Sequence, residues 1–241
     1  MEKKVDVGGF KLFCSNTQPN PGQPTVILES GYGVALKTWA KVYAEIADEA
    51  NVFRYDRAGV GESERGEKPF HSEQIVANLR TLLRKEEVMP PYVLVGHSFG
   101  GLNVRMFAHS YPEEVAGLVL VEPSHEDQHE KWLPLVSDDV RRLFLEQFVI
   151  EGTYDDFRLS LEQVRQVRCQ LGDLPLMVLS GGRQEFNTAE SFAAWQKLHE
   201  DILTLSQQSR HVIVEHSGHY MQREQPAAVA QAIREMLRLI G

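Results

Sequence analysis

Cysteine is scarce in this chain: Cys14 and Cys169 are the only two in 241 residues. A disulfide framework is excluded, so a packed core must hold the fold. The pair lie far apart in sequence, and an intracellular chain keeps such thiols reduced, so both are expected to be free. Positive charge is also short. The 25 Lys and Arg stand against 34 Asp and Glu, a formal net charge of −9, and no basic run relieves it, which argues against a nucleic-acid partner. No apolar run reaches the length of a membrane span, and residues 1–4 lead into a strand-like pattern without the apolar core of a signal peptide. The expectation is a soluble, cytoplasmic protein. Internal repeats and low-complexity segments are missing too. What remains is ordinary globular material, 42% apolar and 24% charged, and long enough for one domain with a sizeable core.

Strand-like apolar runs alternate with helical patterns along the chain. Residues 5–7 and 10–14 read as a hairpin across Gly8-Gly9, followed by a Pro/Asn/Gly loop over 16–24. Buried strands are expected over 25–30, 52–55, 92–95, 117–122, 176–180 and 211–215. Helices are expected over 35–49, over 72–85 with Ser72 as the cap, over 102–110, along Phe192, Trp195, Leu198, Ile202 and Leu205, and from Pro226 to just before Gly241. Such alternation implies a mostly parallel sheet covered on both faces, with reactive groups at the C-terminal ends of its strands. Residues 124–172 interrupt it with helical stretches that carry Trp132, Phe144, Phe148, Tyr154 and Phe157.

The stretch Gly96-His97-Ser98-Phe99-Gly100 ends one of these strands and opens a helix. That context suits a nucleophile elbow, in which a serine projects from a crowded turn and small residues flank it. The Phe99 N–H then lies at a helix N-terminus, where partial positive charge favours a developing anion. Three further motifs accompany it in order: Ser30-Gly31-Tyr32-Gly33 after the first core strand, Asp56-Arg57-Ala58-Gly59-Val60-Gly61-Glu62-Ser63, and Ser217-Gly218-His219 before the last helix. Together they resemble the α/β-hydrolase superfamily, in particular its small lipase-like esterase branch, over nearly the whole chain.

The resemblance implies one α/β-hydrolase domain over residues 1–241, with 124–172 as a helical cap whose Trp132, Phe144 and Phe148 line an acyl pocket. It implies Ser98 as nucleophile and His219 as its base, since a serine hydroxyl is a poor nucleophile without one. His97 is expected to be a wall residue, and His71, His125 and His129 to lie at the loop or cap surface. The family's commonest acid position, in a Gly-x-x-Asp turn, here holds Glu185; a second family position holds Glu122. Glu122 is favoured because it ends an apolar strand beside the elbow strand, where a carboxylate needs a hydrogen-bonded partner. Ser30-Gly31 stands where the family has His-Gly, which leaves the Tyr32 N–H as the second oxyanion donor beside that of Phe99. Asp56-Arg57 is expected only to brace the site. No cofactor and no metal is expected.

Dehalogenase and epoxide-hydrolase branches need a carboxylate at position 98, so this sequence excludes them. The resemblance therefore points to hydrolysis of small or medium carboxylic esters through an acyl-enzyme. Peptidase, lactonase and cofactor-free haloperoxidase activities share the triad and stay open, as does a receptor-like scaffold with little turnover. Neither substrate identity nor oligomeric state is legible.

Overall fold

The computed structural model describes residues 2–17, 20, 22–67, 69–168, 170–185 and 188–241. Cys169 and part of the loop expected over 16–24 lie outside the described residues, whereas Cys14 is a free, buried thiol. Among the described residues eight strands form one sheet: β1 (Glu2–Asp6), β2 (Lys11–Asn16), β3 (Thr25–Glu29), β4 (Asn51–Tyr55), β5 (Tyr92–His97), β6 (Val115–Val121), β7 (Leu176–Gly181) and β8 (Ser209–Val214). Their spatial order is β1-β2-β4-β3-β5-β6-β7-β8. β2 pairs antiparallel with β1 and β4, and every later pairing is parallel. Central β3 and β5 are buried at every position, which is why they read as continuous apolar runs rather than alternating ones.

The helices are α1 (Ala40–Ile46), α2 (Ser72–Lys85), α3 (Phe99–Ser110), α4 (Gln128–Lys131), α5 (Asp138–Glu146), α6 (Tyr154–Gln166), α7 (Ala189–Leu203), α8 (Met221–Glu224) and α9 (Pro226–Ile240). One core layer joins Leu79 and Leu83 of α2, Phe107 of α3 and Leu161 of α6 to Ile27, Leu94 and Leu118 of the sheet. The other packs Val42 and Ile46 of α1 and Ile233 and Met236 of α9 against Val93 and Val119. The mostly parallel sheet, the N-terminal hairpin and the flanking helices all match the architecture expected from sequence.

Local details differ. The helical pattern over 35–49 divides into a 3₁₀ turn, Leu36–Trp39, and α1. His71, not Ser72, is the cap of α2. Ser72 is wholly buried, and its hydroxyl instead donates to Asn103 Oδ1 at 2.8 Å while its N–H donates to Ser160 Oγ at 3.0 Å. A tertiary bond between three helices has displaced the local cap. Between 124 and 172, α6 returns to the core through Phe157, Leu161 and Val164, secured at its start by a Thr153–Asp156 capping box. α5 has no buried residue.

Candidate active site

Ser98 sits between β5 and α3 with φ +51° and ψ −119°, a left-handed setting that costs about 1–3 kcal/mol for a non-glycine residue. The surroundings impose it. Its N–H donates to the Val121 carbonyl at 3.1 Å, and its own carbonyl accepts from Gly101 at 2.8 Å and Ser124 at 2.9 Å. Close approach explains the flanking glycines: a Cβ at Gly96 would lie 2.6 Å from the Gly100 carbonyl oxygen, and one at Gly100 would lie 2.5 Å from that of Glu29.

His219 follows β8 and is held by its backbone. His97 Nε2 donates to the His219 carbonyl at 2.8 Å, and the His219 N–H donates to Glu185 Oε2 at 3.1 Å. Its ring Nδ1 lies 3.3 Å from Glu122 Oε2. Of the two candidate acids, Glu122 therefore meets the imidazole and Glu185 the main chain. Glu122 takes φ +47° just past β6. Its Oε1 accepts from the Gly181 N–H at 2.6 Å and its Oε2 from Trp195 Nε1 at 3.0 Å. Burial pushes this carboxyl upward, but the His219 hydrogen bond, the nearby His199 and His219 rings and the Gly181 N–H outweigh it, and the group falls to about 2. Glu185 instead joins a rim cluster: Arg183 donates to Glu185 and to Glu224 at 2.6 Å each, and Glu224 accepts from the Gly218 N–H at 2.9 Å.

The other histidines divide by burial. His125, expected at the surface, is fully buried, bonded to Asp201 at 2.9 Å beside the Arg105–Glu126 ion pair; an internal charge network, invisible in local sequence, drew it inward. His71 pairs with Gln163 and His129 with Tyr154. Behind Glu122, His199 Nε2 faces the Pro123 carbonyl at 3.0 Å. A carbonyl only accepts, so that nitrogen carries the proton and Nδ1 accepts from Ser180 Oγ at 2.6 Å.

Burial lowers His97 to about 3 and His199 to about 4. Both folded values lie below the unfolded value of about 6.5, so the unfolded chain binds more protons once the pH drops below it. Their neutral burial costs nothing above about pH 6.5 and destabilises progressively below it, by about 1.4 kcal/mol per pH unit for each ring. Urea unfolding should give a free energy roughly 4 kcal/mol smaller at pH 5 than at pH 7. Equal values at the two pH values would contradict this assignment.

The remaining expected groups are placed as follows. Among the described residues, neither the Tyr32 nor the Phe99 N–H has a hydrogen-bond acceptor. Asp56 braces two turns, accepting from the Leu36 N–H at 2.6 Å and the Glu62 N–H at 2.9 Å. Ser98, Glu122 and His219 open onto one cavity of about 330 Å³, walled by Trp132, Phe144, Phe192, Trp195 and Tyr220. Phe148 does not line it. Its ring packs 4.7 Å from that of Tyr32 and 4.8 Å from that of Phe157, because the chain after α5 turns back toward the core. Among the described residues no group of three or more His, Cys, Asp or Glu could hold a metal ion, and no helix is long and apolar enough to cross a membrane.

Sequence reasoning passed over Trp195, Arg183, Glu224, Glu29 and Glu151. Only Glu29 carried a usable signal: like Glu122, it is a carboxylate at the end of an apolar strand.

Comparison with known proteins places the fold in a family. A family model described as alpha/beta hydrolase fold matches residues 24–153, more than half of the chain. The protein belongs to the α/β-hydrolase family. This hydrolase is 32% identical over 239 residues to the uncharacterized protein YqjL of Bacillus subtilis (strain 168), covering 98% of this chain and 92% of that one. Among solved structures, a thermophilic esterase from Thermogutta terrifontis superposes with a TM-score of 0.71 at 22% identity, covering 100% of this chain and 99% of the other. Cfl2 from Burkholderia cenocepacia gives 0.72 at 20% identity, covering 98% and 95%. At such identities the structural likeness speaks to the fold of the α/β-hydrolase alone.

Proposed function

We propose that this α/β-hydrolase is a serine esterase that cleaves small to medium carboxylic esters through an acyl-enzyme on Ser98. The observation that carries the reading is the 3.3 Å approach of His219 Nδ1 to Glu122 Oε2 at a cavity that Ser98 also lines. Ionised Glu122 can only accept, so it keeps the proton on Nδ1 and leaves Nε2 free to take one. Ser98 Oγ attacks the ester carbonyl carbon as its proton passes to His219 Nε2. The charge on the carbonyl oxygen is received by the Phe99 and Tyr32 N–H groups. Collapse breaks the C–O bond, and His219 returns the proton to the departing alkoxide. Water then repeats the sequence on the acyl-enzyme and releases the acid. The mostly apolar wall, with its aromatic rings and Val140 and Leu143, suits an apolar acyl or alcohol group.

The test is a series of p-nitrophenyl esters of rising acyl length, with a fluorophosphonate probe whose attachment is located by peptide mapping. Turnover with a maximum at short or medium length, and a single modification at Ser98, is expected. Labelling at Ser98 without ester turnover would move the substrate class to peptides or lactones, or the role to a receptor. An unlabelled, inactive protein would remove the mechanism altogether.

A further inference from the structure

Arg57 was expected only to brace the site. Its hydrogen bonds are more particular than that. The guanidinium uses all five N–H donors: Nε and one Nη2 proton go to the two carboxylate oxygens of Glu151, one Nη1 proton to Glu29 Oε1, each at 2.7 Å, and one each to the carbonyls of Ser30 and Gly31 at 2.6 Å. Both the cation and its two acidic partners are buried. The Gly31 carbonyl and the Tyr32 N–H belong to one planar trans peptide, so they point in opposite directions. Fixing the carbonyl on Arg57 therefore aims the N–H away from it. Gly31 adjoins the nucleophile, since a Cβ there would lie 3.4 Å from Ser98 Cβ. A cation on the carbonyl also polarises the peptide and strengthens its N–H as a donor.

The setting is tied to the segment between α5 and α6. Glu151 Oε1 accepts from the Gly33 N–H at 2.6 Å as well as from Arg57. Tyr32 Oη donates to the Gly152 carbonyl at 2.8 Å and accepts from the Gly152 N–H at 2.9 Å. Both sides of the Tyr32 peptide are thus fastened to residues 151 and 152, more than a hundred positions away in sequence.

We infer that Arg57 and Glu151 are positioning residues of the oxyanion site: the Arg57 fork sets and polarises the Gly31–Tyr32 peptide, and Glu151 locks that setting to the segment preceding α6. The inference rests on the serine-esterase reading. Lysine at 57 would keep the charge but has no planar fork to span two carbonyls and two carboxylates. Glutamine at 151 would keep one acceptor oxygen and turn an amide N–H toward the guanidinium.

The experiment uses the full chain and compares Arg57→Lys and Glu151→Gln with the wild type. Working sites are counted by fluorophosphonate end-point titration, so that unfolded material drops out. On p-nitrophenyl butyrate, kcat per titrated site should fall about tenfold to a hundredfold in Arg57→Lys, and in the same direction in Glu151→Gln, with little change in KM. Inhibition by phenyl trifluoromethyl ketone, whose adduct places an oxyanion in the same site, should weaken by the same factor. The acid limb of kcat/KM should not move. Wild-type kcat per site and wild-type inhibition in the variants, whatever the loss in Tm, would reduce Arg57 to a structural brace; if Arg57→Lys does not fold, Glu151→Gln decides. A wild-type protein that neither labels nor turns over any ester would overturn the esterase reading and this inference together.

Discussion

Ser98→Ala and His219→Ala should each lower kcat by about five to six orders of magnitude, and the double variant should be no slower than either single one. In the proposed mechanism the two side chains act in one step. Without the hydroxyl there is nothing for the imidazole to deprotonate, and without the imidazole the hydroxyl stays a weak nucleophile, so the second removal takes away what the first already disabled. A residual rate of about 10³–10⁴ over water should persist in all three variants, because the Phe99 and Tyr32 N–H groups are main-chain atoms that neither substitution touches. Ser98→Ala should also keep the wild-type Tm. Alanine meets the same steric cost at φ +51° as serine, and the bonds that impose this setting belong to the backbone of residue 98. Single-turnover and steady-state assays on the three variants decide the matter. Losses that multiply in the double variant would mean that Ser98 and His219 act independently, which the proposed mechanism does not allow.

What was legible in the sequence was local or periodic. Continuous apolar runs revealed β3, β5, β6 and β7 because a strand buried on both faces leaves no room for alternation. The elbow was legible as a local motif, although only Gly96 is demanded by a neighbour within a few residues, Gly100, whereas Gly100 is demanded by the distant end of β3. Glu122 could be singled out by its place at a strand end, and its carboxylate does reach the His219 ring. The remainder depends on contacts between distant residues. Nothing near Glu151 marks it as a partner of Arg57, which lies 94 positions away. His125 looked like a loop or cap surface residue; only the fold brings Arg105 and Asp201 to the pair it makes with the adjacent Glu126. Phe148 and Phe144 sit four residues apart on an aromatic stretch, yet one lines the cavity and the other packs on Tyr32 and Phe157. Spacing shows that such rings share a face, not what that face meets.

The division between the two glutamates leads to the second large effect. Glu122→Gln should lower kcat/KM by about three to four orders of magnitude, while Glu185→Gln should stay within about tenfold of wild type. Position 122 must satisfy three donors: the Gly181 N–H, Trp195 Nε1 and His219 Nδ1. A glutamine that keeps its oxygen on the Gly181 N–H puts its NH₂ at the Oε2 place, where Trp195 Nε1 and His219 Nδ1 both point. That NH₂ donates to Nδ1, moves the ring proton to Nε2, and presents Ser98 with a donor where an acceptor is required. The negative charge that stabilises the imidazolium is lost as well. At position 185 the requirement is smaller, because the carboxylate accepts from the His219 main chain, and a glutamine oxygen can still accept that bond. Arg183 keeps its second partner, Glu224. Steady-state kinetics on both variants separate the roles, and a large loss in Glu185→Gln beside an active Glu122→Gln would transfer the acid to position 185. That outcome would require the Glu185 carboxylate to leave the His219 N–H and swing to the ring, so it would also show that the turn after β7 takes another conformation when substrate is bound.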